Sequence, residues 1–194
     1  MQKIQYFFSR LAFSKTLLGK RTAQKITYMA LTTALCAVVN IIEPWKNEIT
    51  TFSLTLFISG FAGLLLGGVS GFFTCFLGDL IGFLIKPVGI YAPWIGICNG
   101  LTALFVAWCL LLPKAKKFLP VYLIFACLLG FVFCTCGLNT WYLKGLLHPD
   151  WSYFEYLRFR LFINGQIWNS VFNAVLTVAV LPILIRVKPL GIKV

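Results

Sequence analysis

Long apolar stretches separated by short polar segments run along most of this chain. A helix needs about 20 apolar residues to cross the hydrocarbon core of a bilayer, with a range of about 17–25. Residues 49–85 carry one charge, Asp79, and are too long for one span, so they predict two short helices with a break near Gly67 and Gly68. The predicted helices are residues 26–42, two within 49–85, then 91–112, 118–143 and 161–185. The pattern therefore predicts an all-α integral membrane protein with six transmembrane helices and both termini in the cytoplasm.

The composition agrees with this pattern and excludes a water-soluble enzyme. Hydrophobic residues make up 60% of the 194 positions, charged residues make up 11%, and the mean hydropathy is +0.90. A soluble domain carries about 25% charged residues. We expect a basic cytoplasmic segment at 1–25, one six-helix substrate-binding domain at 26–186 and a cytoplasmic tail at 187–194. The first segment has the spacing of a helix lying on the inner membrane surface, and a disordered basic tail is the alternative.

The net charge of +12 reports the topology of the chain. Twelve of the 17 basic residues fall in three segments without acids: residues 1–25, the loop at 114–117 and the tail after 185. Even numbers of predicted helices separate these segments, so all three lie on one side of the membrane. An excess of Lys and Arg in short loops marks the cytoplasmic face. The charge therefore predicts a multi-pass membrane protein and no nucleic-acid partner.

Two patterns suggest catalysis or metal binding and are better explained by helix packing. The segment Gly68-Val69-Ser70-Gly71 matches the Gly-x-Ser-Gly motif of intramembrane serine proteases. The only histidine, His148, is predicted at the opposite membrane face, about 30 Å away, too far for a general base. The seven cysteines lie inside predicted spans, where thiols usually act as small hydrophobes. We predict no enzyme activity, no metal site and no cofactor.

A ligand site is predicted at the outer ends of the helices. Asp79 is the only acid inside a span, where a charge costs about 2.5–3.5 kcal/mol, so it marks either a substrate site or a structural cap for the loop that follows. Lys86 follows two helical turns later. The outer aromatic residues are Trp45, Tyr91, Trp94, Trp141, Tyr142, Trp151, Tyr153 and Tyr156. They form an interfacial belt, or, with the nearby Lys144 and Arg160, a site for a flat heteroaromatic ligand with an anionic tail.

Three segments carry a family resemblance through their order and spacing. The first is the opening helix, with Ala30 and Ala34 four residues apart. The second joins Ala62-Gly-Leu-Leu-Leu-Gly67, Gly78-Asp-Leu-Ile-Gly82 and the turn from Lys86 to Pro93. The third is Leu138-Asn-Thr-Trp-Tyr-Leu143, followed by Arg160-Leu161. Together they resemble the substrate-binding S component of an energy-coupling factor (ECF) transporter, and within those the folate family.

The resemblance implies a subunit without catalytic activity that captures folate at the outer face. It implies partners as well: a coupling transmembrane protein and two ABC ATPases, which form an energising module. In that scheme Ala30 and Ala34 face the coupling protein, and the S component topples in the membrane to deliver its vitamin. The positions that match the pocket of the family are Asp79, Tyr91, Asn139, Thr140, Trp141 and Arg160.

The roles expected in this pocket follow from the chemistry of the ligand. The pterin stacks between aromatic rings such as Trp45, Tyr91 or Trp141. Asn139 contacts its polar edge, and Arg160 or Lys86 binds a glutamate carboxylate. The first helix departs from the family, because near its end it has Asn40 where family members often have an arginine. This departure leaves another planar vitamin or precursor open as the ligand. An ion-coupled transporter that works alone is the alternative from a different class.

Overall fold

The structure is a computed structural model that describes residues 9–42, 45–46, 51–87, 91–112, 117–187 and 192, with backbone alone at 45–46 and 51–52. Its helices are α1 (Lys15–Leu18), α2 (Thr22–Ile42), α3 (Thr55–Leu66), α4 (Gly68–Ile85), α5 (Pro93–Cys109), α6 (Leu119–Leu129), α7 (Thr140–Leu147), α8 (Tyr153–Arg158) and α9 (Gln166–Arg186). Two segments are π-helical: Gly130–Asn139 joins α6 to α7, and Phe159–Ile163 continues α8. A short antiparallel pair joins β1 (Trp45–Lys46) to β2 (Thr51–Phe52).

The predicted apolar helices are all present as helices in the described residues. Four are long and apolar enough to cross a membrane: α2, α4, the continuous rod Leu119–Leu147 and α9. The other two, α3 and α5, are apolar but shorter, at 12 and 17 residues. The helical fold is therefore confirmed, and the count of six spans and the cytoplasmic location of both termini stay predictions.

The break between α3 and α4 lies at Gly67, as predicted. Gly67 has φ 103° and ψ −176°, a conformation that residues with a side chain rarely adopt. A Cβ atom at this position would lie 2.3 Å from the backbone nitrogen of Ser14. Glycine is required here for two reasons, the backbone conformation and the close approach of another segment.

The segment before α2 packs against this turn, a contact that the sequence analysis did not predict. The backbone N–H of Ser14 donates to the Leu66 carbonyl at 2.8 Å, and its hydroxyl donates to the Leu65 carbonyl at 2.6 Å. Ser70 donates from its hydroxyl to the carbonyls of Ala12 and Leu66. Leu17 is fully buried in a core to which α3, α5, α6 and α9 contribute. Residues 9–20 are therefore part of the folded bundle, and Ser70 is a structural residue.

Small residues bring the helices of the bundle close together. A Cβ on Gly63 of α3 would lie 2.1 Å from the Ala103 carbonyl oxygen of α5. One on Gly78 of α4 would lie 2.4 Å from the Cys36 Cβ of α2. In lipid no hydrophobic force drives helices together, so close backbone contact provides much of the packing energy. The glycines at these contacts are therefore explained by internal packing.

The last helix starts later than predicted. The sequence pattern placed its start near residue 161, but α9 begins at Gln166. Gly165 adopts a left-handed conformation with φ 64°, and the preceding residues 159–163 form a π-helical turn. This left-handed glycine separates two apolar helical segments that hydropathy alone merges into one.

Candidate ligand site

Asp79 is held by two amides from two other helices. Its carboxylate is buried, with a relative exposure of 7%. Asn40 of α2 donates from Nδ2 to Oδ1 of Asp79 at 3.1 Å, and Asn99 of α5 donates from Nδ2 to the same oxygen at 3.2 Å. Amide donors stabilise a buried carboxylate without neutralising it. Lys86 was expected nearby, but its Nζ donates instead to the Ile41 carbonyl at 3.2 Å.

A small cavity lies beside this carboxylate. Its volume is about 10 Å³, close to what a single water molecule needs. The lining residues are Cys36, Asn40, Thr55, Ile58, Ser59, Cys75, Asp79 and Asn99. The cavity is too small for a heteroaromatic ring, so a ring that meets Asp79 has to approach from outside it.

Arg160 forms a second buried polar cluster with two threonines. It lies in the π-helical turn after α8, and its relative exposure is 9%. Its Nη1 donates to the Thr140 hydroxyl at 2.9 Å and to the Thr135 carbonyl at 3.4 Å. The Thr140 hydroxyl in turn donates to the Thr135 carbonyl at 2.7 Å. No carboxylate among the described residues lies within ion-pair distance of Arg160. The guanidinium is therefore a buried cation without an acid to balance it.

Helix α5 connects the two clusters. Asn99 contacts Asp79, and the adjacent Cys98 donates from Sγ to the Cys134 carbonyl at 3.9 Å. Cys134 directly precedes Thr135, the residue whose carbonyl accepts from Arg160. The acidic and the basic cluster therefore lie on two sides of the same stretch of α5.

Two more predicted site residues carry buried polar atoms without a hydrogen-bond partner among the described residues. They are the hydroxyl of Tyr91 and Oδ1 of Asn139. The ring of Tyr91 lies 5.0 Å from the ring of Phe83. Buried polar atoms usually have a hydrogen-bond partner. Because these two atoms have none among the described residues, a bound ligand is able to provide one.

Of the two predicted tryptophans, only Trp141 has a described side chain, and it is not brought into these clusters. The side chain of Trp141 is 67% exposed, so it faces away from Arg160 and Thr140. The side chain of Trp45 lies outside the described residues, and its backbone forms β1. Another aromatic pair is close to the site: the rings of Trp94 and Tyr142 lie 5.7 Å apart.

Other polar residues of the last helix turn out to be structural. Asn173 accepts from the Phe57 backbone N–H at 3.0 Å, and Asn169 accepts from the Ser53 N–H at 3.3 Å. The N–H of Phe57 lies in the first turn of α3, where N–H groups have no partner within the helix, and Ser53 lies two residues before α3. The two amides therefore hold the start of α3 and the residue before its N-cap. The sequence analysis missed the roles of Asn40 and Thr135. Asn40 could have been found from the sequence, because it is an amide near the end of an apolar helix. The role of Thr135 could not, because its backbone carbonyl leaves no mark in the sequence.

The predicted coupling residues lie on the outside of the bundle. Ala30 and Ala34 are exposed on α2, whereas Thr32, Cys36 and Ala37 of the same helix are buried. Leu31 and Leu35 border the two alanines and are exposed as well. This face of α2 packs against no other described helix.

One comparison with known proteins identifies the family. The model of the ECF-type riboflavin transporter S component matches residues 20–188. The chain belongs to this family. The S-component resemblance is therefore confirmed, whereas folate as the ligand is not, because the matching model describes riboflavin transporters. The family is one of transporter components rather than enzymes, and this S component is an integral membrane protein. None of the curated proteins compared with the chain matches it.

Proposed function

We propose that this S component captures a planar vitamin that carries an anionic group, with folate as the first candidate. The observation that carries the proposal is the buried guanidinium of Arg160, which has no acid near it among the described residues. A buried charge is costly unless it is paired, and Arg binds carboxylates through two parallel hydrogen bonds. The glutamate carboxylates of folate provide such an anion.

The remaining predicted residues have roles that suit the rest of such a ligand. Tyr91 provides a ring face close to Asp79, and Asn139 provides a buried carbonyl oxygen that accepts a hydrogen bond from a ring edge. Thr140 holds the guanidinium of Arg160 in place. Lys86 lies at the end of α4, within reach of a carboxylate that extends from the site. Trp45 is proposed to stack on the planar ring, whereas Trp141, which faces away from Arg160 and Thr140, is left out of the proposed site.

Riboflavin is the second candidate because the matching family model carries its name. Riboflavin also has a planar ring system with a polar edge. It carries no ionised group at neutral pH, so it leaves the charge of Arg160 unbalanced. The dependence of binding on Arg160 therefore distinguishes the two vitamins.

We propose the partners that the family name implies. An ECF-type S component works with an energising module, here a coupling transmembrane protein and two ABC ATPases in the bacterial plasma membrane. The exposed face of α2 with Ala30 and Ala34 is the proposed contact with the coupling protein, because small residues allow close helix approach in lipid. An ion-coupled transporter that works without these partners is the competing proposal.

The test is a tryptophan-fluorescence titration of the detergent-purified protein with folate, riboflavin and thiamine. We expect saturable quenching by folate, and Arg160→Met to weaken folate binding by about 10-fold or more, as expected when a charged hydrogen bond is lost. Arg158→Met is the matched control, since Arg158 is the neighbouring arginine in the last turn of α8. Saturable riboflavin binding that Arg160→Met leaves unchanged would replace folate by riboflavin. Quenching by none of the three would contradict the vitamin-capture proposal.

A further inference from the structure

A second pocket lies at the opposite end of the bundle from the predicted vitamin site. Its volume is about 30 Å³, more than a single water molecule needs. It lies between the segment at residues 9–20 and the ends of α3 and α5. The lining residues are Arg10, Ser14, Lys15, Gly63, Leu64, Gly67, Ala107, Leu110 and Leu111. Nothing in the proposed vitamin site involves these residues.

Arg10 brings a guanidinium with one unsatisfied N–H group to this pocket. Its Nε is buried and has no hydrogen-bond partner in the part of the chain that the structure describes. A guanidinium has five N–H donors and no acceptor, so an acceptor has to come from elsewhere. A buried polar group without a partner is rare in folded proteins and points to a missing water or ion.

The elements around this pocket provide no acid for Arg10. Residues 9–42 contain five basic residues and no acidic residue, and neither α3 nor the stretch 93–112 contains one. The five acids of the chain are Glu43, Glu48, Asp79, Asp150 and Glu155. Asp79 makes its hydrogen bonds with Asn40 and Asn99, and Glu155 caps the start of α8. The local charge at this pocket is therefore strongly positive and favours an anion.

The pocket is held in shape by contacts independent of any ligand. The hydrogen bonds of Ser14 to the carbonyls of Leu65 and Leu66 fix the segment on the turn after α3. The bond from Ser70 to the Ala12 carbonyl at 3.0 Å fixes it on α4, and the burial of Leu17 anchors its end. Arg10 thus sits on a preorganised support, which reduces the entropy that a ligand loses on binding.

We propose that this pocket binds the phosphate group of an anionic membrane lipid. Arginine binds phosphate oxygens through two parallel hydrogen bonds. The pocket lies at the ends of apolar helices, the depth at which lipid headgroups lie, and on the side predicted as cytoplasmic by its charge. Basic pockets between transmembrane helices on that side bind anionic headgroups. Free inorganic phosphate offers the same chemistry, but it lacks acyl chains, which would pack on exposed apolar side chains next to the lining residues, such as Trp108 and Leu112.

The test is native mass spectrometry of the full chain in detergent, titrated with phosphatidylglycerol or phosphatidylcholine. We expect phosphatidylglycerol to bind more tightly, and Arg10→Gln to weaken its binding by about fivefold or more, since one basic contact is lost. Arg186→Gln is the matched control, because it removes one charge from the last turn of α9 on the same predicted side. We expect it to change the affinity by less than about twofold.

A parallel titration with inorganic phosphate, read by thermal unfolding, separates the two sources of the anion. Stabilisation by phosphate alone that disappears in Arg10→Gln would overturn the lipid as the source. Equal binding of both lipids, or equal losses in Arg10→Gln and Arg186→Gln, would overturn the site. Arg10→Lys retains the charge and removes Nε. If Arg10→Gln unfolds, partial retention of phosphatidylglycerol binding in Arg10→Lys still supports the pocket.

Discussion

Asp79 has two possible roles, one structural and one in ligand binding, and experiment distinguishes them. It accepts hydrogen bonds from Asn40 and Asn99, which join α2 and α5 to α4. These bonds suit a structural role. Its charge also acts on Tyr91, a predicted ligand residue, and its Oδ2 faces Gly96, where an added Cβ would lie 3.0 Å away. The carboxylate therefore lies at the boundary between the packed bundle and the proposed site.

Asp79→Asn is expected to weaken vitamin binding more than it destabilises the fold. The substitution keeps the shape of the side chain and removes the charge, and a hydrogen bond to a charged group contributes about 1.5–3 kcal/mol, or roughly 10- to 100-fold in affinity. The measurement is the same fluorescence titration, together with the melting temperature. Asp150→Asn, at an exposed position, is the control. A large drop in melting temperature with unchanged affinity would assign Asp79 a structural role.

Arg160 depends on Thr140 for its orientation. Thr140→Val has nearly the same size but removes the hydroxyl that bridges Nη1 of Arg160 and the Thr135 carbonyl. We expect folate affinity to fall by about 3- to 10-fold, less than in Arg160→Met, because the charge remains. Thr27→Val, an exposed threonine of α2 with a similar bond to a backbone carbonyl, is the control. Equal folate affinity in Thr140→Val and the wild type would rule out this positioning role.

At the scale of the elements, the turn between α3 and α4 is the contact that joins the N-terminal segment to the bundle. Gly67 is required by its backbone conformation and by the closeness of Phe13 and Ser14. The turn therefore does more than reverse the chain: it forms the surface on which residues 9–20 pack.

Gly67→Ala is expected to destabilise the protein strongly. A residue with a side chain in this conformation costs about 1–3 kcal/mol, and the clash with the backbone of Phe13 and Ser14 adds to that cost. Thermal unfolding in detergent measures the effect. Gly19→Ala is a matched control, because no atom lies within 4 Å of an added Cβ there. If both variants melt at the same temperature, the N-terminal segment does not pack on this turn.

Helix α2 has two faces with different roles. Its buried face packs on α4 through Cys36, Ala37 and Asn40, and its outer face presents Ala30 and Ala34. Ala34→Trp adds bulk to the outer face alone. We expect unchanged vitamin binding and a loss of uptake of about tenfold in cells that contain the energising module, as expected when close helix contact is blocked. Val121→Trp, at an exposed position of α6, is the control. Normal uptake with Ala34→Trp would place the coupling protein elsewhere.

At the scale of the whole molecule, the number of buried carboxylates and the family match favour the proposed binding subunit over an ion-coupled transporter. The described residues contain one buried carboxylate, Asp79, which is few for an ion-coupled cycle. The family match assigns the chain to a transporter that has further components.

Uptake of the vitamin is therefore expected to require ATP and the energising module. Cells that express this chain alone should bind the vitamin and fail to accumulate it, because binding by itself provides no free energy for transport. Radiolabelled uptake with and without the module, and with an ionophore, measures this. Accumulation by the chain alone that the ionophore abolishes would favour the ion-coupled transporter.

The sequence by itself determined the helical class, the positions of the apolar helices, the break at Gly67 and the S-component family. These properties depend on local hydropathy, on the backbone conformation of one residue and on the order of short motifs. All three can be read from neighbouring residues in the sequence. Through the family resemblance it also predicted Arg160 and Thr140, separately, as site residues.

The tertiary structure alone decided which of these side chains meet. Asn40 lies 39 positions from Asp79, and Thr140 lies 20 positions from Arg160, so their contacts depend on how each helix is rotated against its neighbours. Nearly every face of these helices is apolar, so hydropathy gives little information about rotation. Close packing of small residues fixes it instead. The same packing turned Trp141 outward and brought the N-terminal segment onto the Gly67 turn. As a result, Nε of Arg10 lies in a pocket where it has no hydrogen-bond partner among the described residues.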